Sequence, residues 1–442
     1  MRRNGLRAAL VAAVVLGLMP LTAQAKETDA PPQPAAVAAR PAVPPPTAAP
    51  VLGPSSRPGP AVVDTCADRD EALRQAKRHG YKAIACHQSG LAPNKDSIAS
   101  LKATVAKVAT TSPRQGLTPQ PLPSWCADHL DGNWWITRRD GCLVTTGKVT
   151  VVDTRGTWRG TLTYHDVRYV YNRGGIDSVY QFSITPWKYE GTGLDGMTLR
   201  TVPTCQSNCT TFATTTRDTL VRDVIVTKEM GLKSTLVNRG DRGDAVGRFT
   251  LDFTVPGEVF DRQERVDSLP LLCDHTLPGN NTLPGCVFEG YDPWLGLSYS
   301  DPYLGRNAIN VGWAIYTGLP SHLQRLRDPS LSGANGDRAC PSGASYPRPD
   351  DHQCDEYPFR STEQGAKTSG TPFAPRTFGE GNCPLTGSWP NTVFANSYIG
   401  AEGWARCNIP TSHNRAGGAR LDAFYRDERV QSGGWFNVYT TG

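Results

Sequence analysis

Apolar and polar residues alternate strictly in several stretches between residues 121 and 330. In the clearest, GRFTLDFTV, Phe249, Leu251, Phe253 and Val255 fall on one side of an extended chain and polar residues on the other. A period of two is typical of a strand with one buried face. Further stretches with this texture are GKVTVVDT, GTLTYHDVRYVYN, DSVYQFSI and RDVIVT. Short strands separated by turns predict an antiparallel, sandwich-like β-rich domain.

Helical patterns lie on either side of this region. DRDEALRQAKRHG has mixed charges and a glycine stop, which predicts a helix from Asp68 to Gly80 within a short helical N-terminal segment, residues 61–120. Near the other end, Leu421, Phe424 and Tyr425 share one face of a helix predicted over residues 419–427. A closing strand, WFNVYTT, follows it.

The fold class is therefore predicted to be α+β. The β-rich middle domain is followed by a small, separate, disulfide-bonded domain over residues 331–442, which contains the remaining helix and strand.

The first sixty residues predict export. Three arginines precede an apolar run that ends before AQA, a pattern typical of a secretory signal peptide over residues 1–25. Residues 26–60 contain eleven prolines among 35 residues and are predicted to be a linker. No later apolar run reaches the roughly 18 residues of a membrane span. We therefore expect a secreted, extracellular protein without a membrane span.

All 12 cysteines lie between Cys66 and Cys407. An even number, without zinc-site spacing, in an exported chain favours disulfides. Pairing of neighbours is the simplest hypothesis, and it gives the pairs 66–86, 126–142, 205–209, 273–286, 340–354 and 383–407.

The net charge of +5 falls to +2 without the three signal-peptide arginines, which excludes a protein that coats nucleic acid. From Arg338 onward, ten basic residues balance ten acidic ones. Phosphate binding would therefore depend on the placement of individual residues: Arg360, Arg406, Arg415 and Arg420.

Candidate chemistry is concentrated in the terminal region. CDEYPFRSTEQG carries two adjacent acids, Asp355 and Glu356, and Asn414 precedes the Gly417-Gly418 pair. Phosphodiester hydrolysis needs a base to activate water and a divalent cation to offset phosphate charge. Mg²⁺ and Mn²⁺ favour oxygen ligands, which the two acids and the asparagine offer.

Several alternatives stay open at this point. An acid pair before an aromatic residue and a proline is more often a solvated turn, and an asparagine placed like Asn414 is more often a helix N-cap than a metal ligand. Both His413 and His352 are base or ligand candidates, although loop histidines are usually neither. Cys354 is better interpreted as half of a disulfide than as a nucleophile.

Two motifs, CDEYPFRSTEQGA and NRAGG…LDAFYRDERV…GGWFNV, resemble those of the NucA/NucB deoxyribonucleases, a family of secreted bacterial endonucleases. The resemblance covers residues 340–438. It implies a small nuclease with a ββα-metal-like core that needs Mg²⁺ or Mn²⁺ and binds DNA transiently, without sequence preference.

The resemblance also implies roles for individual residues. Asp355 falls on the family's catalytic acidic position, and Asn414 where such a fold places a metal ligand. Glu356 would share the base role or bind the metal, and Arg415 and Arg360 would hold phosphate. Some members have Asp-Arg where this chain has Gln353-Cys354, and some have a longer segment before the helix. Whether the helix supplies an additional metal ligand, for which Asp422 is the candidate, therefore stays an open question.

Two other classes of function compete with a nuclease. One is a secreted binding protein whose β-rich domain recognises a carbohydrate or cell-surface ligand through the aromatics of GNWW and WLGLSY, with an inactive terminal domain. The competing interpretation of those aromatics is core packing. The other is a nuclease toxin with a cognate immunity or inhibitor protein.

Overall fold

The structure is a computed structural model. It describes residues 53–110, 121–370, 375–378 and 400–442, apart from residues 173, 195, 256–258, 262 and 278–281. The predicted signal peptide and most of the predicted linker lie outside the described residues.

The described residues form strands and helices that alternate irregularly along the chain. The strands are β1 Ser55–Arg57, β2 Val63–Asp64, β3 Ala83–Leu91, β4 Trp134–Ile136, β5 Asp140–Asp153, β6 Trp158–Asn172, β7 Asp177–Gly191, β8 Thr198–Ser207, β9 Cys209–Phe212, β10 Thr216–Thr219, β11 Val226–Ser234, β12 Arg242–Thr254, β13 Val259–Asp261, β14 Glu264–Asp267, β15 Leu271–Asp274, β16 Gly285–Val287, β17 Trp294–Ser298, β18 His322–Gln324, β19 His352–Tyr357, β20 Ala405–Pro410 and β21 Trp435–Thr441. The helices are α1 Arg69–Arg78, α2 Lys95–Thr110, α3 Gly305–Tyr316, α4 Pro329–Ala339 and α5 Thr411–Asp427, with short 3-10 helices at Ser124–Asp128 and Gly343–Ser345.

Two mainly antiparallel sheets form the β-rich region. The first has ten strands and includes the order β1-β4-β5-β6-β7-β11-β9, with β3 paired to β5; the second has six and includes β10-β8-β12-β15-β16. Their inner faces meet in one apolar core, in which the rings of Tyr180 on β7 and Phe249 on β12 lie 5.2 Å apart. The predicted β-rich, antiparallel architecture is confirmed.

The alternating stretches become the long strands of these sheets. In β12, Phe249, Leu251 and Phe253 are buried and the residues between them are half-buried, as the period of two predicted. RDVIVT is only partly a strand, since β11 begins at Val226. Four of its six residues therefore precede the strand.

The N-terminal segment contains strands as well as helices. The helix predicted from Asp68 is confirmed: the Asp68 side chain caps α1 by accepting a hydrogen bond from the backbone N–H of Glu71 at 3.0 Å. However, β3 joins the large sheet beside β5, and Ser55–Arg57, assigned to the linker, forms β1 beside β4. The predictions of a helical segment and of a linker therefore each missed a strand, because the strands to which these residues are hydrogen-bonded lie far along the chain.

A second apolar core lies in the terminal region, and it begins well before residue 331. It includes Leu295 and Leu297 of β17, and α3 is buried along most of its length. Strand β21 lies between β17, which it pairs in parallel, and β18. The predicted boundary at residue 331 therefore cuts through this core.

The terminal motifs occupy two antiparallel strands and a helix. Strand β19 pairs with β20 along its whole length, and α5 follows β20 directly. The helix begins at Thr411, eight residues earlier than predicted. Asn414 and the Gly417-Gly418 pair are consequently inside α5 rather than before it, and the N-cap alternative for Asn414 is wrong.

Five of the six predicted disulfides are confirmed: 66–86, 126–142, 205–209, 273–286 and 340–354. Cys407 is also disulfide-bonded, and its predicted partner Cys383 lies outside the described residues. Among the helices that the structure describes, none is long and apolar enough to cross a bilayer.

The C-terminal end of α5 is held by residues of the β-rich region. The last carbonyls of a helix lack partners within the helix. Here Arg139 donates to the carbonyl of Asp427 at 2.8 Å, and Arg138 donates to those of Glu428 and Arg429 at 2.7 and 3.0 Å. The positive guanidinium groups also suit the negative end of the helix dipole.

A buried ion pair reinforces this contact. The Arg429 guanidinium donates to both carboxylate oxygens of Asp274 on β15, at 2.8 and 2.7 Å, and both side chains are almost completely buried. Gln431 adds a bond to the same carboxylate at 2.9 Å. The helix that carries the second motif is thus tied to the β-rich sheets.

Candidate functional site

Asp355 lies in β19 and is only 5% exposed, so it does not belong to a solvated turn. The side chains of Asn307 and Asn310 on α3 hold its carboxylate. The Asn307 amide lies 3.1 Å from both carboxylate oxygens, and the Asn310 amide lies 2.9 Å from Oδ2. Because they are three positions apart, the two asparagines project from the same side of α3.

Burial, followed by the neighbouring charge of Glu356, raises the pKa of Asp355 to about 7, and the bonds from Asn310 and Asn307 partly oppose this rise. A carboxyl with such a pKa exchanges protons near neutrality, as a general base must.

Glu356 points to the other face of β19, because successive side chains in a strand alternate. Its Oε2 lies 3.6 Å from the sulfur of Cys340, which is bridged to Cys354. Burial raises the pKa of Glu356, and the positive charge of Arg360 partly offsets that effect.

Both acids line one cavity of about 740 Å³ between α3, α4, α5 and β19. Most of the residues singled out from the sequence meet there: Asp355, Glu356, Asn414, Arg415, Arg360 and Asp422. The fold thus brings side chains nearly sixty positions apart into one pocket.

Asn414, in the first turn of α5, is bonded to the strand that carries the acids. Its amide nitrogen donates to Oε1 of Gln353 at 3.1 Å and to the carbonyl of Cys354 at 3.4 Å. The nitrogen therefore faces β19, and the amide oxygen is left for another partner.

Exposed arginines surround the acids. Arg360 and Arg415 were expected here; Arg327 and Arg348 were not singled out, yet they line the same cavity. Arg348 is anchored by a bond to the carbonyl of Cys340 at 3.1 Å. Arginine suits phosphate because its planar fork donates two parallel hydrogen bonds.

Two of the basic candidates lie away from the cavity walls. Arg406 stacks over the ring of Tyr346 at 4.0 Å and donates to the carbonyl of Ala339, and Arg420 is exposed on α5. Their positions do not support the expectation that they bind phosphate at this site.

The three remaining candidates, His413, His352 and Asp422, form contacts with neighbouring residues. His413 does not line the cavity; its Nδ1 accepts a bond from the backbone N–H of Arg306 at 3.3 Å, and burial lowers its pKa. His352 lies 2.8 Å from the carbonyl of Asp350 and is also outside the cavity lining. Asp422 lines the cavity but is exposed and bonded to Arg426 of the same helix.

Comparison with known proteins gave no family. No protein-family model matches this chain, and no curated protein matches it.

The donor set suits a hard cation better than a soft one. Among the described residues, no group of three or more His, Cys, Asp or Glu comes together as a metal centre. The cavity instead offers two carboxyls and the amide oxygen of Asn414. Asn310, whose amide nitrogen donates to Asp355, has a buried Oδ1 with no hydrogen-bond partner among the residues described. Mg²⁺ is commonly bound through one or two carboxylates while it keeps several waters, so these residues fit such an ion.

Asn307 and Asn310 were missed because GRNAINVGW was assigned to the β-rich domain. A signal was nevertheless present: two asparagines three positions apart in a mainly apolar helix. Buried amides need partners, so this spacing predicts a polar group facing that side of the helix.

The raised pKa of Asp355 predicts a pH-dependent stability in metal-free protein. Between about pH 4 and 7 the folded state keeps a proton that the unfolded state has lost, so the free energy of unfolding should fall as pH rises, by up to about 1.4 kcal/mol per pH unit. Denaturant unfolding in EDTA, measured at several pH values, tests this. As pH rises through this window, the free energy of unfolding of Asp355→Asn should increase relative to that of wild type. Asp350→Asn, at an exposed position, should show the same pH dependence of the free energy of unfolding as wild type. The same pH dependence in Asp355→Asn as in wild type would contradict the prediction.

The glycine pair in α5 offers a matched test of packing. A Cβ on Gly417 would lie 2.7 Å from Cγ of Asn307, whereas one on Gly418 would meet nothing within 4 Å. Asn307 cannot yield without disturbing its bonds to Asp355. Gly417→Ala should therefore lower the free energy of unfolding, since overpacking costs about 1–3 kcal/mol, while Gly418→Ala should raise it by up to about 1 kcal/mol. Urea unfolding measures both, and equal effects would argue against the close approach.

Proposed function

We propose that this chain is an exported, metal-dependent endodeoxyribonuclease that cleaves DNA without sequence preference. One observation carries the proposal: a buried aspartate, held by two amides, shares a cavity with a second carboxyl and several arginines. These are the groups that phosphodiester hydrolysis requires. The resemblance of the two motifs to the NucA/NucB deoxyribonucleases supports the same reaction.

Asp355 is the proposed general base. The amides of Asn307 and Asn310 fix the orientation of its carboxylate, and the raised pKa lets the group accept a proton from water near neutral pH. Burial also excludes competing solvent around the carboxylate.

Glu356 and Asn414 are the residues proposed to hold Mg²⁺ or Mn²⁺, through oxygen atoms. A bound divalent ion would supply positive charge against the phosphate and lower the pKa of coordinated water. The part of Asn414 in this arrangement is set by its bonds to β19, which orient the amide next to the acid pair.

Arg360 and Arg415 are proposed to bind phosphate oxygens. The cavity lining carries five arginines and four acids, so its excess of positive charge is small: Arg325, Arg327, Arg348, Arg360 and Arg415 against Asp337, Asp355, Glu356 and Asp422. We therefore expect weak, transient DNA binding that weakens further as salt is added.

Export is part of the proposal. Five disulfides are typical of proteins that fold in an oxidising compartment. In that setting the β-rich region would deliver the enzyme, target it to substrate or inhibit it. Toxicity of the protein on cytoplasmic expression, relieved by the product of a neighbouring gene, would identify a toxin and its immunity protein.

Plasmid cleavage tests the proposal directly. Purified full-length protein should convert supercoiled plasmid to nicked and linear forms with Mg²⁺ or Mn²⁺, and EDTA should stop the reaction. Absence of metal-dependent nicking under all these conditions would reject the proposal.

A further inference from the structure

A second cavity, of about 320 Å³, lies in the β-rich region. Its walls come from the N-terminal residues Pro58–Ala61 and from β3, β4, β6 and β14. It shares no lining residue with the candidate nuclease site. The two cavities are therefore built from different residues.

Three polar side chains in its wall are almost completely buried: Ser89, Arg168 and Glu264 are 3%, 2% and 1% exposed. The facing surfaces of two packed sheets are normally apolar. Burying polar groups there costs free energy unless they find partners. A cluster of this kind, at a cavity rather than in a closed core, marks a candidate binding site.

These side chains keep unused hydrogen-bonding capacity. Arg168 donates through Nε and Nη2 to one oxygen of Asp166, at 2.9 and 2.6 Å, and its Nη1 has no partner among the described residues. Glu264 accepts a bond from Ser89 on Oε1; its Oε2 finds no hydrogen-bond partner in the part of the chain that the structure describes and lies 3.9 Å from Nδ1 of His87. Within the described residues, this wall therefore contains a donor and an acceptor whose hydrogen-bonding capacity is not used.

Two charged residues of the wall, Arg168 and Asp267, are paired within the protein, and a third, Arg265, is exposed at its edge. Asp166 neutralises Arg168, and Asp267 at the rim is paired with Arg248 at 2.5 Å. Burial raises the pKa of Glu264, which favours its neutral form. A neutral ligand rich in hydroxyl groups suits this wall better than an ion does.

Trp134 provides the remaining surface. It is 4% exposed, belongs to the apolar core as the packing interpretation of GNWW expected, and yet lines the cavity. An aromatic ring next to planar polar side chains is suited to a sugar, which combines hydroxyl groups with apolar C–H faces. Trp135, in contrast, stacks on His129 at 3.6 Å.

We propose that this cavity binds a single neutral sugar ring, with its hydroxyl groups bonded to Arg168, Glu264 and Ser89 and its C–H face against Trp134.

Calorimetric titration of the full-length protein, with EDTA present, tests this inference. The probes are glucose, galactose, mannose and N-acetylglucosamine, with glycine and glutamate as charged probes. At least one sugar should bind one-to-one with a Kd on the order of 1 mM, the range expected for so small a ligand. The amino acids should not bind.

Two variants localise the binding. Glu264→Gln keeps the side-chain volume but replaces an acceptor with a donor, and Ser89→Ala removes one hydroxyl; each should weaken the sugar at least tenfold. Should Glu264→Gln fail to fold, Ser89→Ala decides. Asp355→Asn should bind sugar as wild type does, so failure of the nuclease proposal and failure of this one are distinguishable. No saturable sugar binding, binding of amino acids alone, or binding unchanged in the folded variants would overturn the inference.

Discussion

Asp355→Asn is expected to reduce metal-dependent plasmid cleavage by about 10²- to 10⁴-fold, the usual contribution of a general base. The substitution preserves size and removes the proton acceptor. It also places an amide against the donors of Asn307 and Asn310. The loss should appear in kcat, because the phosphate-binding arginines are untouched.

The measurement is the initial rate of nicking with saturating Mg²⁺ or Mn²⁺, alongside the melting temperature of each variant. Asp350→Asn is the matched control: an exposed aspartate five residues earlier that does not line the cavity. It should cleave at the wild-type rate. Full activity in folded Asp355→Asn would remove Asp355 from the mechanism.

Arg429→Met is expected to lower the free energy of unfolding by about 3–5 kcal/mol, because it leaves the carboxylate of Asp274 buried without its cation. Burial alone would raise the pKa of Asp274; the Arg429 hydrogen bonds and charge more than offset this, so its pKa lies below the ordinary value. The stabilisation is therefore present at neutral pH and is lost as pH falls through the folded-state pKa.

Urea unfolding of wild type and variant checks this prediction, and the difference between them should be largest near pH 7 and shrink in acid, where Asp274 is protonated. Arg426→Met is the control, since Arg426 and Asp422 form an exposed pair on the same helix. Its cost should stay below about 1 kcal/mol. Similar losses in both variants would mean that the buried pair contributes no more than a surface pair.

Local patterns predicted several of the longest strands, the closing strand and helix α1. Strand β12 follows from a period of two, and α1 from its mixed charges and glycine stop. Five disulfides followed from pairing neighbours along the chain. These features depend on residues that are close in sequence.

Long-range contacts were the part that single-sequence reasoning missed. Nothing near Ser55–Arg57 indicates its pairing with β4, and nothing in α3 says that its two asparagines face Asp355. The start of α5 was missed for a local reason: glycines at 417 and 418 lower helix propensity, but contact between Gly417 and Asn307 favours helix there.

Because residues of the β-rich region cap α5, the terminal region is not expected to fold normally when it is expressed alone. A fragment starting at residue 331 would carry the acid pair and three of the five cavity arginines, but it would leave behind Arg325, Arg327 and both amides that orient Asp355. It would also lack the guanidinium groups of Arg138 and Arg139 at the far end of the helix. A gene fusion or domain exchange that uses this region should therefore begin before β17 and should also include the β4–β5 hairpin.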